Sequence, residues 1–120
     1  MIIAHETSHQ WWYNLVGNDE VDWGFLDEML ACWSTDYYAE KYHSDWEYFQ
    51  YEKYIDTVRL YYTDEGLPNK INQSVYECNE TNTDYWYVAY KKAPLILKNL
   101  RNIIGNTSFF SGLRLYFEQY

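Results

Sequence analysis

Two histidines and a glutamate fall within five positions in the stretch IIAHETSHQWW, residues 2–12. On an α-helix, residues four apart lie on the same face, so His5 and His9 would present two imidazoles at the spacing that one metal ion needs. Glu6 would be displaced around the helix toward the same opening, where its carboxylate could serve as a general base. The arrangement is H-E-x-x-H, which predicts a zinc site with its base. A polar patch on an ordinary helix is the alternative.

A catalytic zinc ion takes three protein ligands and keeps a fourth position open, so a third ligand is required from a neighbouring element. Glu28, in the stretch FLDEML, follows His9 with 18 residues between them. A helix–turn–helix hairpin would bring the two positions together. The residues around this carboxylate in the sequence are apolar, namely Phe25, Leu26, Met29 and Leu30. A carboxylate in such surroundings needs a partner, which favours a ligand over a solvated helix charge.

Helical patterns account for most of the chain. Five helices are predicted, over residues 1–15, 24–43, 44–62, 90–105 and 106–120, with a turn at 16–19 and a loop at 63–70. Ser44 and Glu47 form a capping box that opens the third helix. Pro94 fits the first turn of the fourth helix, and Gly105 ends it as a C-cap. The expected fold is mainly α, a multi-helix unit with almost no sheet.

Three motifs in this order resemble the M1 metallopeptidases of the membrane alanyl aminopeptidase type, which are glutamate-zincins. AHETSHQWW is similar to the zinc helix of that family, and H-E-x-x-H followed by 18 residues and a glutamate looks like its signature. FLDEMLA occupies the place of the family's W-L-N-E-G-F-A. AYKKAPLILKNLRNIIGNTSFFSGLRLYFEQY resembles the family's Y-E-K-G segment and the F-x-x-G-L-x-x-Y helix that comes after it. The resemblance covers nearly the whole chain.

The resemblance implies zinc-dependent, aminopeptidase-like peptide-bond hydrolysis by a parent enzyme, with one catalytic Zn²⁺ and a peptide as substrate. It implies that His5, His9 and Glu28 are the zinc ligands. It further implies that Glu6 is the base and that the hydroxyl of Tyr90 stabilises the oxyanion, a role that suits a neutral phenol. Two alternatives come from other classes. They are a non-catalytic metal-binding or protein-interaction helical module, and a plain helical domain in which the motif is coincidental.

Several positions depart from the family pattern. They are Tyr13, Phe25, Asp27, Met29, Ala93 and Pro94. None of them removes a ligand or the base, but Met29 and Ala93 affect the expected shape of the cleft. Cys32, one turn after Glu28, is predicted to be a buried small hydrophobe and not a ligand. Cys32 and Cys78 are expected to be two buried free thiols, with one bridge between them as the alternative.

Acidic and aromatic residues dominate the composition, with a net charge of −9 and 22% aromatic residues. The negative charge disfavours nucleic acids and anionic membranes as partners, and the aromatic content predicts a packed core. No apolar run approaches the roughly 20 residues needed to span a bilayer. No signal peptide is visible at the start, which favours the cytoplasm without establishing the compartment.

The resemblance also implies β-rich regions and a sheet-containing lobe before the zinc helix, with a Gly-x-Met-Glu-Asn motif that binds the free α-amine of the substrate. Residues 1–120 would then be a single helical subdomain, resembling the C-terminal helical half of a thermolysin-like catalytic domain. The N-terminal lobe of the parent chain would be its partner. Apolar surface meeting that lobe would be exposed and would invite homo-oligomers. The isolated chain is expected to be inactive, and whether the parent is an aminopeptidase or an endopeptidase stays open.

Overall fold

Helices make up nearly all of the regular structure in the computed structural model, which describes residues 1–43, 45–46, 52, 54–56, 59, 70–78 and 83–120. The helices are α1 (Ile2–Ser8), α2 (Phe25–Tyr42), α3 (Thr83–Tyr87), a π-helix (Val88–Lys92) and α4 (Ala93–Gln119). Within these ranges the only β pairing is an isolated parallel bridge between Trp12 and Val16. The predicted mainly α fold is therefore confirmed. The predicted capping residues Ser44 and Glu47 and most of the loop at 63–70 lie outside the described residues.

The first helix is shorter than predicted, because it ends at Ser8 and not near residue 15. The hydroxyls of Thr7 and Ser8 donate to carbonyl oxygens four residues back, at 2.6 and 2.8 Å. Such bonds weaken and bend a helix. The amides of Gln10 and Trp11 then bond carbonyl oxygens three residues back, at 3.1 and 3.0 Å, so the backbone winds more tightly as the helix ends. His9 still has right-handed helical angles as the C-cap, which keeps it one turn from His5.

Tyr13 has a φ of 93°, in the left-handed region that favours glycine. Its amide donates to the carbonyl oxygen of Val16 at 2.8 Å, which closes the turn after α1. We expect Tyr13→Gly to be more stable than Tyr13→Ala by about 1 kcal/mol, since only the alanine keeps the Cβ that strains this conformation. Urea denaturation of the two variants measures the difference. An alanine variant equal to or more stable than the glycine variant would contradict a strained turn.

The second helix matches the prediction to within a residue at each end and carries Glu28. Gly24 stands immediately before it, in close contact with the rest of the chain. A Cβ at Gly24 would lie 2.4 Å from the carbonyl oxygen of Glu20 and 2.8 Å from the hydroxyl oxygen of Tyr85. That hydroxyl donates to the Gly24 carbonyl oxygen at 2.9 Å. The lack of a side chain at Gly24 therefore lets the start of α2 approach the segment that leads to Tyr90.

The fourth predicted helix begins at Thr83 and not near Tyr90, and it contains a wider turn that was not predicted. Across Val88–Lys92 the helix is π-helical, and the amide of Ala93 bonds the carbonyl oxygen of Val88, five residues back. Pro94 explains the position of this turn. A proline has no N–H to give to the carbonyl four residues back, which is that of Tyr90, and its ring would clash with it. The wider turn relieves that clash directly beside the candidate catalytic tyrosine.

The core lies between α2 and α4. Its buried members are Leu30, Trp33, Leu97 and Phe109. The rings of Trp33 and Phe109 are 4.9 Å apart between centroids, within the range of favourable aromatic pairs. Gly105 interrupts α4 with a φ of 79° and a ψ of 161°, so the predicted helix break is confirmed at this residue. This core holds α2, and with it Glu28, against the helix that follows Tyr90.

Cys32 and Cys78 are both buried and form no disulfide, as predicted. None of the helices in the described ranges is both long and apolar enough to cross a lipid bilayer.

A bidentate ion pair joins α2 to α4, with Arg101 Nη1 and Nη2 lying 2.6 and 2.9 Å from the carboxylate oxygens of Glu40. We expect Arg101→Met to lower the free energy of unfolding at pH 7 by about 1–2 kcal/mol, as a charge-assisted bidentate pair is lost. Arg101 lowers the pKa of Glu40 below its usual value of 4.5. The ion pair therefore contributes its full stabilisation above about pH 4.5, and this stabilisation is lost as Glu40 is protonated in the folded state at lower pH.

The pH dependence provides the measurement. Urea denaturation of the wild type and of Arg101→Met at several pH values should show a cost that shrinks as the pH falls below about 4.5. Glu40→Gln is the matched control, because Arg101→Met added to it should cost much less than in the wild type. A cost that is the same at every pH would assign the effect to lost packing on Tyr37, whose ring centroid lies 4.9 Å from Arg101 Cζ.

Candidate metal centre

Three donor atoms from α1, its C-cap and α2 lie around one point. His5 Nε2 is 3.2 Å from His9 Nε2 and 3.2 Å from Glu28 Oε2, and His9 Nε2 is 3.6 Å from Glu28 Oε2. The turn between the helices folds the chain back so that His9 and Glu28, with 18 residues between them, meet as a helix–turn–helix hairpin predicts. The structure thus brings together the three residues predicted as ligands.

These separations fit a zinc ion. Zinc–nitrogen distances of about 2.0–2.1 Å with tetrahedral angles place ligand atoms roughly 3.3–3.4 Å apart, close to the three distances here. Glu28 Oε2 is buried and has no hydrogen-bond partner among the described residues, although both imidazoles are near it. An acceptor in that state is costly unless a cation completes its surroundings, either a protonated His5 imidazole or a metal ion held by the cluster. Two imidazoles and a carboxylate are also the donor set of many catalytic zinc sites.

The charges of the cluster depend on one another. Pairing with Glu28 is the largest influence on His5 and raises the pKa of its imidazole above the usual 6.5. Burial alone would raise the pKa of Glu28, but the interactions with His5 and Tyr90 outweigh burial and lower it. Glu28 is therefore an anion at neutral pH, as a metal ligand must be.

The outer nitrogen of His9 has an acceptor of its own. His9 Nδ1 lies 3.2 Å from the carbonyl oxygen of Trp12. Since a carbonyl only accepts, the proton of a neutral His9 belongs on Nδ1, which leaves the lone pair of Nε2 facing the cluster. Asp27 Oδ2 is 3.9 Å from the same nitrogen, and Asn18 Nδ2 donates to Asp27 Oδ1 at 3.1 Å. The backbone after α1 thus orients the second histidine.

Tyr90 lies inside the cluster, on the π-helix. Its hydroxyl donates to Glu28 Oε1 at 2.5 Å, and its ring stacks on His5 with centroids 5.9 Å apart. Burial, followed by the proximity of Glu28, raises the pKa of this phenol. Tyr90 is thus a neutral hydrogen-bond donor at pH 7. The hydroxyl of Tyr85, five residues earlier, donates to the carbonyl oxygen of Gly24 instead.

The cluster opens into a cavity of about 400 Å³. Its lining includes all five predicted site residues, which are His5, Glu6, His9, Glu28 and Tyr90. Glu6 is exposed, and its charge contributes to the raised pKa of His5. The structure therefore places the predicted base on the solvent side of the ligand cluster and in the same cavity.

Two buried residues beside the cluster were not predicted to matter. Asp27 is 4% exposed, and its Oδ2 faces His9 Nδ1. Its position next to Glu28 in the sequence could have indicated that it lies near the ligands. Cys32 was predicted to be a small hydrophobe, and it is buried, but its Sγ lies 3.6 Å from His5 Nδ1. The spacing of Cys32 four residues after Glu28 puts both on one face of α2, which was the available signal. Burial raises the pKa of the Cys32 thiol far above neutrality, so it remains protonated.

The chain is similar to known peptidases along its whole length. The sequence model for the peptidase family M1 domain matches residues 1–120. The chain is 25% identical to mitochondrial aminopeptidase 2 and 26% identical to alanine/arginine aminopeptidase, both of Saccharomyces cerevisiae and each over 122 residues. It is 25% identical over 120 residues to leucyl aminopeptidase of Saccharolobus solfataricus.

These alignments cover 99% of the chain in each case but only 13, 14 and 15% of the relatives. The chain thus spans a small part of the length of the curated relatives it matches. No solved structure matches it. The expected likeness to the helical half of a thermolysin-like domain therefore stays a prediction.

Proposed function

We propose, on the premise that this chain belongs to peptidase family M1, that it carries the zinc ligands and the general base of an aminopeptidase-like peptidase. One observation carries the proposal: three donor atoms of His5, His9 and Glu28 lie 3.2–3.6 Å from one another. These residues would hold one Zn²⁺. When bound, zinc supplies Lewis-acid polarisation of a carbonyl and increases the acidity of water.

Glu6 and Tyr90 would carry out the proton transfer and the stabilisation of the developing negative charge. Glu6, on the open side of the cavity, would accept the proton of the attacking water and deliver it to the departing amine. Tyr90 would donate its hydroxyl hydrogen to the carbonyl oxygen of the substrate as negative charge develops there. This requires that its hydrogen bond to Glu28 be exchanged for one to the substrate. The Trp12 carbonyl would hold His9 in the tautomer that binds metal.

The substrate would be a peptide with a free amino terminus, by analogy with relatives whose names are those of aminopeptidases. Since the chain is only 13–15% as long as the aligned relatives, we propose that residues beyond these 120 help to position the peptide. Correct positioning supplies roughly 7–11 kcal/mol of barrier reduction in favourable cases. The 120-residue chain alone should therefore be a poor peptidase.

Hydrolysis assays test this proposal. The zinc-loaded full-length protein that contains these residues should cleave aminoacyl-anilides, and its His9→Ala variant should not. The zinc-loaded 120-residue chain should turn over more than about tenfold below the 1–10³ s⁻¹ usual for enzymes. Cleavage of a casein peptide with a blocked amino terminus would indicate an endopeptidase, whereas an aminopeptidase would leave this peptide intact. A full-length protein that binds zinc but cleaves none of these substrates would favour the non-catalytic metal-binding module.

A further inference from the structure

The two nitrogens of the His5 ring face different partners. Nε2 faces the donor atoms of His9 and Glu28, whereas Nδ1 lies 3.6 Å from Cys32 Sγ. The ring is held on its other sides as well, because it packs edge-to-face on His9 at 4.8 Å and stacks on Tyr90 at 5.9 Å. The sulfur of Cys32 is thus the polar atom at the outer edge of this imidazole.

We propose that Cys32 is a positioning residue whose sulfur accepts the Nδ1 hydrogen of His5 and so presents the Nε2 lone pair to the metal. The inference rests on the proposed function, since it concerns how a zinc ligand is oriented. A neutral imidazole carries one proton, so Nε2 is free to bind a metal only when Nδ1 holds that proton. Ligating histidines usually give their second N–H to an oxygen acceptor, and here a sulfur takes that place.

The hydroxyl of Tyr54 is a second polar neighbour of the thiol. Tyr54 is 6% exposed and shares a hydrogen bond with Cys32. Cys32 itself is 7% exposed, so water does not compete for the sulfur. A protonated thiol sulfur has two lone pairs, so at least one is available for the Nδ1 hydrogen of His5 whichever way the hydrogen bond with Tyr54 runs.

Because the Cys32 sulfur lies near the ligand atoms, direct binding of the metal by Cys32 is the alternative to a positioning role. Donor atoms of His5, Glu28 and Cys32 all lie within 4.8 Å of one another. Two distances favour the positioning role. His5 offers its other nitrogen, Nε2, to Glu28 at 3.2 Å, while the sulfur approaches Nδ1 on the far edge of the ring.

The test compares metal affinity among cysteine variants of the chain, by competition with a chromophoric chelator. Cys32→Ala should bind Zn²⁺ about 10–100-fold more weakly than the wild type, the usual effect of removing such a partner. Cys32→Ser, which keeps an acceptor, should recover most of that loss. Cys78→Ala is the matched control, because Cys78 is also a buried cysteine outside any disulfide and its sulfur faces Gln73. Its affinity should equal that of the wild type.

The absorption spectrum of the Co²⁺-loaded chain separates the two roles of the sulfur. We expect no sulfur-to-cobalt charge-transfer band in the wild type, and a shift in the d–d bands of Cys32→Ala as the His5 ring reorients. An intense charge-transfer band that Cys32→Ala abolishes would make Cys32 a ligand and overturn the positioning role. Equal Zn²⁺ affinity in Cys32→Ala and the wild type would also overturn it. A wild type that binds no metal would instead overturn the proposed zinc site, and this inference with it.

Discussion

The double variant His5→Ala/His9→Ala should bind Zn²⁺ on the order of 10⁴-fold more weakly than the wild type. Structural zinc sites contribute roughly 10–16 kcal/mol from four ligands, so two of them account for at least about 5 kcal/mol. The remaining ligand, Glu28, would keep only its hydrogen bond from Tyr90. Isothermal titration and elemental analysis of washed protein measure the change, and the wild type should hold one zinc per chain.

His43 provides a matched control for this loss. It is the third histidine of the chain, and it stacks on Trp46 with centroids 4.5 Å apart, away from the ligand cluster. His43→Ala should therefore retain the wild-type affinity. Equal zinc binding by the double variant and the wild type would show that the metal is held elsewhere and would remove the basis for the proposed function.

Glu6→Gln in the full-length protein should keep its zinc and lose peptide hydrolysis by about 10²–10⁴-fold, the range attributed to general bases. The amide is nearly the same size as the carboxylate but does not accept a proton from the attacking water. Because Glu6 is exposed and forms no part of the ligand set, its replacement should leave the fold and the metal affinity unchanged. Turnover number with an aminoacyl-anilide, alongside zinc content, gives the measurement.

Glu118→Gln is the control for a lost surface charge, since Glu118 is exposed near the end of α4. Its turnover should match that of the wild type. Near-normal turnover in Glu6→Gln would assign the base to another group. A loss of zinc along with activity would instead make Glu6 part of the metal site.

Local patterns predicted the parts of the molecule that depend on spacing along a helix. His5 and His9 are four residues apart, so even a helix that ends at Ser8 keeps them together. The limits of α2 were predictable because the stretch from Phe25 to Tyr42 contains neither glycine nor proline. Gly105 interrupts α4 where its freedom at positive φ predicted an end. In each case the residues that give the pattern lie within a few positions of the structural feature that they predict.

The unpredicted features depend on contacts between distant segments. The thiol of Cys32 meets His5 from 27 positions away; the spacing along α2 places Cys32 on the face of Glu28 but does not indicate this contact. Tyr90 reaches Glu28 across 62 positions through a turn whose width depends on Pro94 and on packing against α2. The early end of α1 is a local exception, because hydroxyls there bond carbonyl oxygens only four residues back and weaken the helix, an effect that the apolar pattern does not reveal.

The π-helical turn at Val88–Lys92 joins α3 to α4 and sets how far α3 is rotated about the helix axis relative to α4. Each residue advances an α-helix by about 100°. If the same residues, Val88–Lys92, were wound as a regular α-helix instead, the stretch before them would rotate by roughly that angle relative to α4. Tyr90, which lies within the turn, would then point away from Glu28 although every residue of the cluster was still present. The direction of the Tyr90 side chain therefore depends on the width of this turn as well as on residue identity.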